Sequence, residues 1–163
     1  MAKLDAKVVR NAIVLTYPED VKVYRKGLNC FGLVNDAYVC FNVQNDKYKP
    51  EVGLHFYVNW GVIPEVIHRA NPRGLFFKDP SYVHGLWGLA RGRLTDDPNE
   101  DDDQWFLPRT PEDLERVSNT IAFYAKTLWE IRLYKMTHAK WHIETLAASS
   151  SPEADKLIDI LSS

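Results

Sequence analysis

The chain has 163 residues, of which 45% are hydrophobic and 26% charged, a length and balance typical of one globular domain spanning residues 1–163. Its 20 Lys and Arg residues nearly match its 22 Asp and Glu residues, and the net charge of -2 argues against nucleic acid or an anionic membrane as partner. No apolar run approaches the ~20 residues that span a bilayer, and the N-terminus lacks a signal-peptide pattern, so we expect a cytoplasmic protein.

Periodicity divides the first part of the chain into a helix and a set of strands. Apolar residues at close to four-residue spacing predict an amphipathic helix from about Ala2 to Leu15. From Leu28 to Val62 the period changes to two, in segments rich in β-branched and aromatic residues, which predicts an antiparallel meander of about three strands. Cys30 and Cys40 fall in adjacent segments, are too few for a disulfide framework, and are expected to be buried free thiols.

The segment from Pro64 to Leu107 has no clean period and is rich in Gly, Pro and aromatic residues. We expect an irregular connection that packs its aromatic side chains against the sheet. LWGLARGRL and DQWFL, at the end of this segment, are expected to form a strand pair joined by a long acidic turn over residues 95–104. Arg91 and Arg93 are expected to form salt bridges with the neighbouring acids.

Two capped helices complete the chain. Thr110 is a natural N-cap before Pro111, and the 3.6-residue period that starts there continues nearly to Ala148. Ser151 caps a short last helix over residues 152–161. This order of elements predicts an α+β fold, in which an antiparallel sheet of about four to five strands is covered on one face by the N-terminal helix and the long C-terminal helix.

Two strand segments resemble those of a known family. AYVCFNVQNDKY followed by GLHFYVNWGVI is similar to the strand pair of a bacterial family catalogued as domain of unknown function 4304, and the order of elements also fits. The resemblance implies a small bacterial α+β protein with no established catalytic residues, so it supplies no active site. The long acidic turn and the extra terminal helix depart from the family pattern.

The stretch TDDPNEDDDQW, from Thr95 to Trp105, concentrates negative charge in a chain that is otherwise nearly neutral. It does not fit an EF-hand that starts at Asp97, because Asp102 replaces the required glycine and Pro108 replaces the bidentate glutamate. A solvated turn that protects a strand edge, a site for a basic protein partner and a weak metal site all stay open. Our hypothesis is that the acids bind a basic protein partner, with an aromatic side chain beside them as anchor. Its candidate binding residues are Asp96, Asp97, Glu100, Asp101, Asp102, Asp103 and Trp105.

Strand alternation predicts a second candidate surface. If Val39, Phe41 and Val43 face the helices, the polar side chains of the same strands lie on the opposite face of the sheet. That face is either solvated, as is common for antiparallel sheets, or it hydrogen-bonds a ligand or partner. The residues of this alternative ligand face are Tyr38, Asn42, Gln44, His55, Tyr57 and Asn59.

Common catalytic and cofactor motifs are missing from the sequence. It has no G-x-S-x-G elbow, no P-loop and no dinucleotide-binding G-x-G-x-x-G after a strand. His138 and His142 are four residues apart, a spacing that puts two imidazoles on one helix face as metal sites require. Because a third ligand at suitable spacing is not apparent, ordinary helix-flank histidines are favoured. We assign no catalytic residue, no metal and no cofactor.

Two classes of function are compatible with these observations. The first is a non-enzymatic protein-binding protein, for which a bacterial immunity protein that neutralises a basic toxin is one instance. The second is a small-molecule-binding protein or enzyme that uses the polar sheet face around His55, Tyr57 and Asn59. A closed concavity over His55 would favour the second class, whereas a flat sheet with a protruding acidic turn would favour the first. The sequence leaves the partner's identity and the oligomeric state open.

Overall fold

In a computed structural model of the chain, the described residues are 3–45, 53–71, 89–100 and 103–163. They form a five-stranded antiparallel sheet with helices, which confirms the predicted α+β fold. All of the predicted turn NDKYKPE except Asn45, and most of the predicted irregular connection, lie outside the described residues. The strands are β1 (Val23–Lys26), β2 (Asn29–Val34), β3 (Ala37–Asn45), β4 (Phe56–Pro64) and β5 (Ala90–Arg93). The helices are α1 (Lys7–Val14), α2 (Glu65–Ala70), α3 (Pro111–Leu128), α4 (Tyr134–Met136), α5 (Ala139–Ser149) and α6 (Pro152–Ser162).

The strands follow one another in the sheet in chain order, and each pairs antiparallel with the next. The three predicted strands are present as β2, β3 and β4. Strand β1 was not predicted, because its sequence VYRK is largely exposed and carries no apolar alternation. It joins β2 through a tight turn in which Gly27 adopts a φ of 58°, a left-handed conformation that glycine tolerates without strain.

The predicted pairing of LWGLARGRL with DQWFL is wrong. Both segments lie in line along the outer edge of β4, with Arg93 opposite Asn59 and Phe106 opposite Phe56. The Leu94 N–H continues this edge by donating to a β4 carbonyl at 2.8 Å. Since β3 occupies the other edge of β4, the outer edge is where both segments satisfy their backbone groups. The acidic segment is therefore an excursion from one edge strand and not the turn of a hairpin.

One face of the sheet packs against α1 and α3 to form the larger core. Phe41, Phe56 and Ile13 are fully buried there. Inside this core the Tyr17 hydroxyl donates to the Val39 carbonyl at 2.7 Å, whereas the indole N–H of Trp60 is buried without a hydrogen-bond partner among the described residues. The amphipathic periods of the two helices therefore predict their buried sides correctly.

Within the described residues, helices cover the second face of the sheet at one end. Phe31, Cys40 and Ile63 pack there with residues of α2 and α6 in a smaller core. Cys30 lies on the first face, so the two thiols are buried on opposite faces, and neither is in a disulfide, as predicted. Burial raises the pKa of the Cys30 thiol to about 11, which keeps it protonated and unreactive at neutral pH.

Both predicted helix caps are confirmed. The Thr110 hydroxyl accepts from the Asp113 N–H at 3.0 Å, and the Ser151 hydroxyl accepts from the Ala154 N–H at 3.0 Å. Each cap precedes a proline at the start of its helix, the arrangement that the sequence predicted. None of the described helices is both long and apolar enough to cross a membrane.

The long helix that starts at Pro111 is present, but its predicted end near Ala148 is wrong. It passes through a π-helical segment, Trp129–Leu133, and ends after α4. His138 then has an extended backbone with φ of -99° and ψ of 130°, and α5 starts beyond it. The Asp36 carboxylate, on the β2–β3 turn, accepts from the Ala139 N–H at 2.9 Å and caps α5 from outside the helix. This tertiary contact breaks a helical period that the sequence alone continues.

Candidate functional site

The acidic loop, defined as residues 95–104, is ordered at its start by short-range hydrogen bonds. The Thr95 hydroxyl donates to the Asp97 carbonyl at 2.7 Å and accepts from the Asp97 N–H at 3.1 Å. The Asp97 carboxylate accepts from the Asn99 N–H at 2.9 Å, and the Asp97 carbonyl accepts from the Glu100 N–H at 3.1 Å. These contacts form a tight turn, so Asp97 has a structural role in addition to its charge.

Contacts from outside this turn fix the loop to the helical side of the sheet. The Asp96 N–H donates to Gln104 Oε1 at 2.8 Å, which joins the two ends of the loop. Arg132, on the π-helical segment, donates to the Pro98 carbonyl at 3.3 Å. The same guanidinium lies 4.8 Å from the ring centroid of Trp60, so it links the loop to a buried β4 side chain.

The far end of the loop packs on the second face of the sheet. Asp103 lies 3.5 Å from the Arg93 guanidinium, an ion pair of the predicted kind. Trp105 contacts both His55 and Tyr57, with ring centroids 4.5 Å apart in each case. The Arg93 guanidinium lies 3.7 Å from the Tyr57 ring centroid. The acidic loop and the predicted polar face, treated as separate surfaces in the sequence, are therefore continuous.

The described acids of the loop are presented to solvent. Asp96, Glu100 and Asp103 are exposed, whereas Asp97 is half-buried by its turn. Trp105 keeps 38% of its surface exposed beside them. The remaining candidates, Asp101 and Asp102, lie outside the described residues. The loop thus combines exposed carboxylates with a half-exposed aromatic side chain on one continuous surface.

A row of amide side chains crosses the second face of the sheet. Asn29, Asn42 and Asn59 lie opposite one another on β2, β3 and β4. Asn59 Nδ2 donates to Asn42 Oδ1 at 3.1 Å and to Gln44 Oε1 at 2.9 Å. Asn42 Nδ2 donates in turn to Asn29 Oδ1. Because these amides satisfy one another, the row stabilises the strand register and offers a ligand only part of its hydrogen-bonding capacity.

Tyr38 lies apart from the other residues of the predicted ligand face. Its ring packs edge-on against Phe31 and His68, with ring centroids 6.4 Å and 5.6 Å away. This position is at the α2 end of the sheet, opposite Ile63 in register. Tyr38 therefore lies on the predicted face, but α2 and α6 cover its end of that face and separate it from the other five residues.

The space over His55 is occupied by protein. Trp105 packs directly on His55 and on Tyr57, and Tyr57 is only 9% exposed. A shallow depression of about 520 Å³ lies instead on the outer side of α3. Its described lining residues are Glu112, Glu115, Arg116, Asn119, Thr120 and Phe123. Among the described residues, the geometry at His55 is that of a packed surface and not of a reaction pocket.

Sequence reasoning missed Arg132 and Gln104, which fix the acidic loop. Arg132 is 34 residues from its Pro98 partner, so no local pattern could indicate the contact. The bond between Gln104 and Asp96 spans eight residues of irregular chain. By contrast, the Thr95 turn has a local signal, because a hydroxyl two residues before an acid in a proline-containing stretch favours this hydrogen-bonded turn.

His138 and His142 do not share a helix face. His138 is exposed and precedes α5, while His142 is 1% exposed within it. The His142 Nε2–H donates to the Met136 carbonyl at 2.6 Å and so has a structural partner. Among the residues that the structure describes, no group of three His, Cys, Asp or Glu side chains could hold a metal ion.

His142 predicts a dependence of stability on pH. Burial lowers its pKa in the folded protein, while the hydrogen bond to the Met136 carbonyl opposes part of that shift. Because the unfolded chain binds the proton more readily, stability is full above the unfolded pKa of ~6.5 and falls below it by at most ~1.4 kcal/mol per pH unit. Urea unfolding between pH 7.5 and 5 should show this loss. An H142Q variant should lose less stability over the same range, and equal slopes would contradict the assignment.

The fold and the site together define an α+β domain with an acidic loop whose described residues are fixed beside one sheet edge. Comparison with known proteins adds no relative: no family model, no curated protein and no solved structure matches the chain. The resemblance of two strand segments to domain of unknown function 4304 stays a prediction. Function must therefore be argued from the site itself.

Proposed function

We propose that the chain is a non-enzymatic protein-binding protein whose acidic loop and Trp105 receive a basic protein partner. The observation that carries the proposal is that residues outside the loop contact it near both ends, while Asp96, Glu100 and Asp103 stay exposed. Arg132 holds one end through the Pro98 carbonyl, and Arg93 holds the other through Asp103. A loop needed only for solubility requires neither contact.

Preorganisation gives these contacts a functional meaning. A mobile loop loses conformational entropy when a partner orders it, and that loss weakens binding. The Thr95 turn and the bond between Asp96 and Gln104 remove part of this cost before the partner arrives. Exposed carboxylates on an ordered loop also keep a fixed direction of the local electric field, which speeds association with a basic surface.

Trp105 supplies the second element of the proposed interface. Tryptophan is enriched at binding hot spots, where one face packs on its own protein and the other meets the partner. Here His55 and Tyr57 hold the indole ring, and 38% of the residue remains exposed. The acids would surround this anchor as a charged rim.

A bacterial immunity protein that neutralises a basic toxin is the particular instance that we propose, acting in the cytoplasm. Toxins that act on nucleic acid bind phosphates through cationic surfaces. A run of carboxylates on an ordered loop offers such a surface a competing anionic partner. This step rests on charge complementarity and on the resemblance of two strand segments to a small bacterial family.

The alternative, a small-molecule-binding protein or enzyme on the polar sheet face, has less support. Trp105 covers His55 and Tyr57, and the amides around Asn59 bond to one another. A reaction site needs a space in which a substrate can reach a polar group. The described residues place packed side chains at that position.

Capture with matched variants tests the proposal. The loop variant carries Asn or Gln at Asp96, Asp97, Glu100, Asp101, Asp102 and Asp103. The control variant removes six exposed acids elsewhere, at Glu112, Glu115, Glu130, Glu144, Asp155 and Asp159. The wild type and the control variant should retain the same basic protein from native host extract, and the loop variant should lose it. Retention of the same proteins by all three would contradict the proposal.

A further inference from the structure

Strand β1 forms the edge of the sheet opposite to the acidic loop. The described residues place no strand beyond it, so alternate residues of β1 turn their backbone N–H and C=O groups away from the sheet. Its pairing with β2 runs without a bulge from Val23 to Lys26, and it contains no proline. Proline and a bulge, two devices that protect exposed edges from strand addition, are therefore missing from β1, whereas two others, short length and cationic side chains, are present.

Cationic side chains lie on both sides of this edge. Arg25 shares its side with Cys30 and the larger core, whereas Tyr24 lies on the other side. Lys22 adds a second cation there, with its Nζ 5.0 Å from the Tyr24 ring centroid. Arg10, on α1, donates to the Gly27 carbonyl at the adjoining turn and brings further positive charge.

Tyr24 gives the edge a ready contact surface. Its ring stacks on Phe31, with centroids 5.2 Å apart and planes 16° from parallel, so its position is fixed. The residue nevertheless stays 46% exposed. An added strand would place one side chain against this ring and the next towards Arg25, since side chains alternate between faces.

We propose that the outer edge of β1 binds an extended acidic segment of a partner protein by strand addition. The backbone of β1 supplies the hydrogen bonds, and Lys22 and Arg25 select for carboxylates on the two sides of the added strand. The same cations repel a basic strand, including another copy of β1, so they set specificity as well as affinity. In register Arg25 lies opposite Cys30, and the nearest described acids that precede the strand along the chain are Glu19 and Asp20.

A peptide titration tests this proposal on the full chain. The probe is a short capped peptide that alternates Glu and Thr. Its binding is monitored through the backbone amide signals of the protein in NMR spectra. Signals of Tyr24 and Arg25 should move in a saturable way. The same peptide with N-methyl groups at alternate residues should bind about tenfold more weakly or worse, because two or more backbone hydrogen bonds are lost.

Charge variants complete the test. The K22E/R25E variant should raise the Kd of the unmethylated peptide by about tenfold or more, through lost attraction and added repulsion. A K140E/K156E variant, with the same change of charge on α5 and α6, should leave the Kd unchanged. The comparison of the methylated and unmethylated peptides uses the wild-type protein, so it tests the proposal even if K22E/R25E fails to fold.

Three results would overturn the proposal. One is absence of saturable binding, and another is equal binding of the methylated peptide, which would show attraction by charge alone. The third is tighter binding of a single-stranded oligonucleotide than of the acidic peptide at the same residues. The outcome is independent of the acidic loop, because the loop leaves the sheet at β5, on the other edge.

Discussion

Replacing Trp129 by alanine is expected to lower the free energy of unfolding by about 3–5 kcal/mol, since a large buried aromatic side chain is removed from a packed core. Trp129 is 1% exposed and packs edge-on against Tyr17, with ring centroids 5.1 Å apart. Its indole N–H donates to the Thr16 hydroxyl at 3.2 Å, a bond between α1's end and the π-helical segment. The substitution removes the ring, leaves a cavity and breaks this link.

Urea unfolding followed by circular dichroism measures this effect. An F123A variant is the control, because Phe123 is an aromatic residue on α3 that is 66% exposed. Its truncation should change the free energy of unfolding by no more than about 0.5 kcal/mol, as is usual for exposed positions. If W129A lowered the free energy of unfolding as little as F123A, Trp129 would not be packed in the larger core as the structure shows.

Replacing Trp105 by alanine is expected to weaken partner binding by about 2 kcal/mol, roughly a 30-fold rise in Kd, because tryptophan anchors are typical hot spots. The loss of folding stability should be smaller than for W129A, since Trp105 is 38% exposed and Trp129 only 1%. A W105F variant should recover part of the affinity, because phenylalanine can still pack against His55 and Tyr57.

Isothermal titration with the captured partner measures this effect beside the thermal unfolding of each variant. L107A provides the matched control, since Leu107 is exposed two residues along the same edge segment. If W105A and L107A had the same Kd for the partner, Trp105 would only pack against Tyr57 and would not anchor the partner.

Structural features that depend on residues close together in the sequence, such as helix caps, can be predicted from the sequence. Thr110 and Ser151 each place a hydroxyl beside a proline and a helical period, so sequence alone located both caps. The helix break at His138 was missed because Asp36, about a hundred residues earlier, supplies the cap of α5. The apolar period of a helix carries no information about a hydrogen bond from a residue distant in the sequence.

The candidate site was predicted in its parts and not in its assembly. The acids and Trp105 were identified from composition, and Tyr57 and His55 from strand alternation. Their contact depends on the register that puts Phe106 opposite Phe56, which brings the neighbouring Trp105 onto the sheet. That register depends on the edge of β4 that β3 does not occupy. The availability of this edge is a property of the folded sheet, which local sequence does not encode.

The rate of association with the captured partner, measured across a salt series, tests the central claim most directly. Attraction between exposed charges is screened over ~8 Å at physiological ionic strength and over ~3 Å at 1 M, so the wild-type rate should fall steeply as salt is added. The control variant that lacks six acids on the helices should behave like the wild type. The loop variant should associate about tenfold or more slowly at low salt and respond little to added salt. A loop variant that matched the wild-type rate at every salt concentration would show that the acidic loop does not steer a basic partner, and the proposed function would then be wrong.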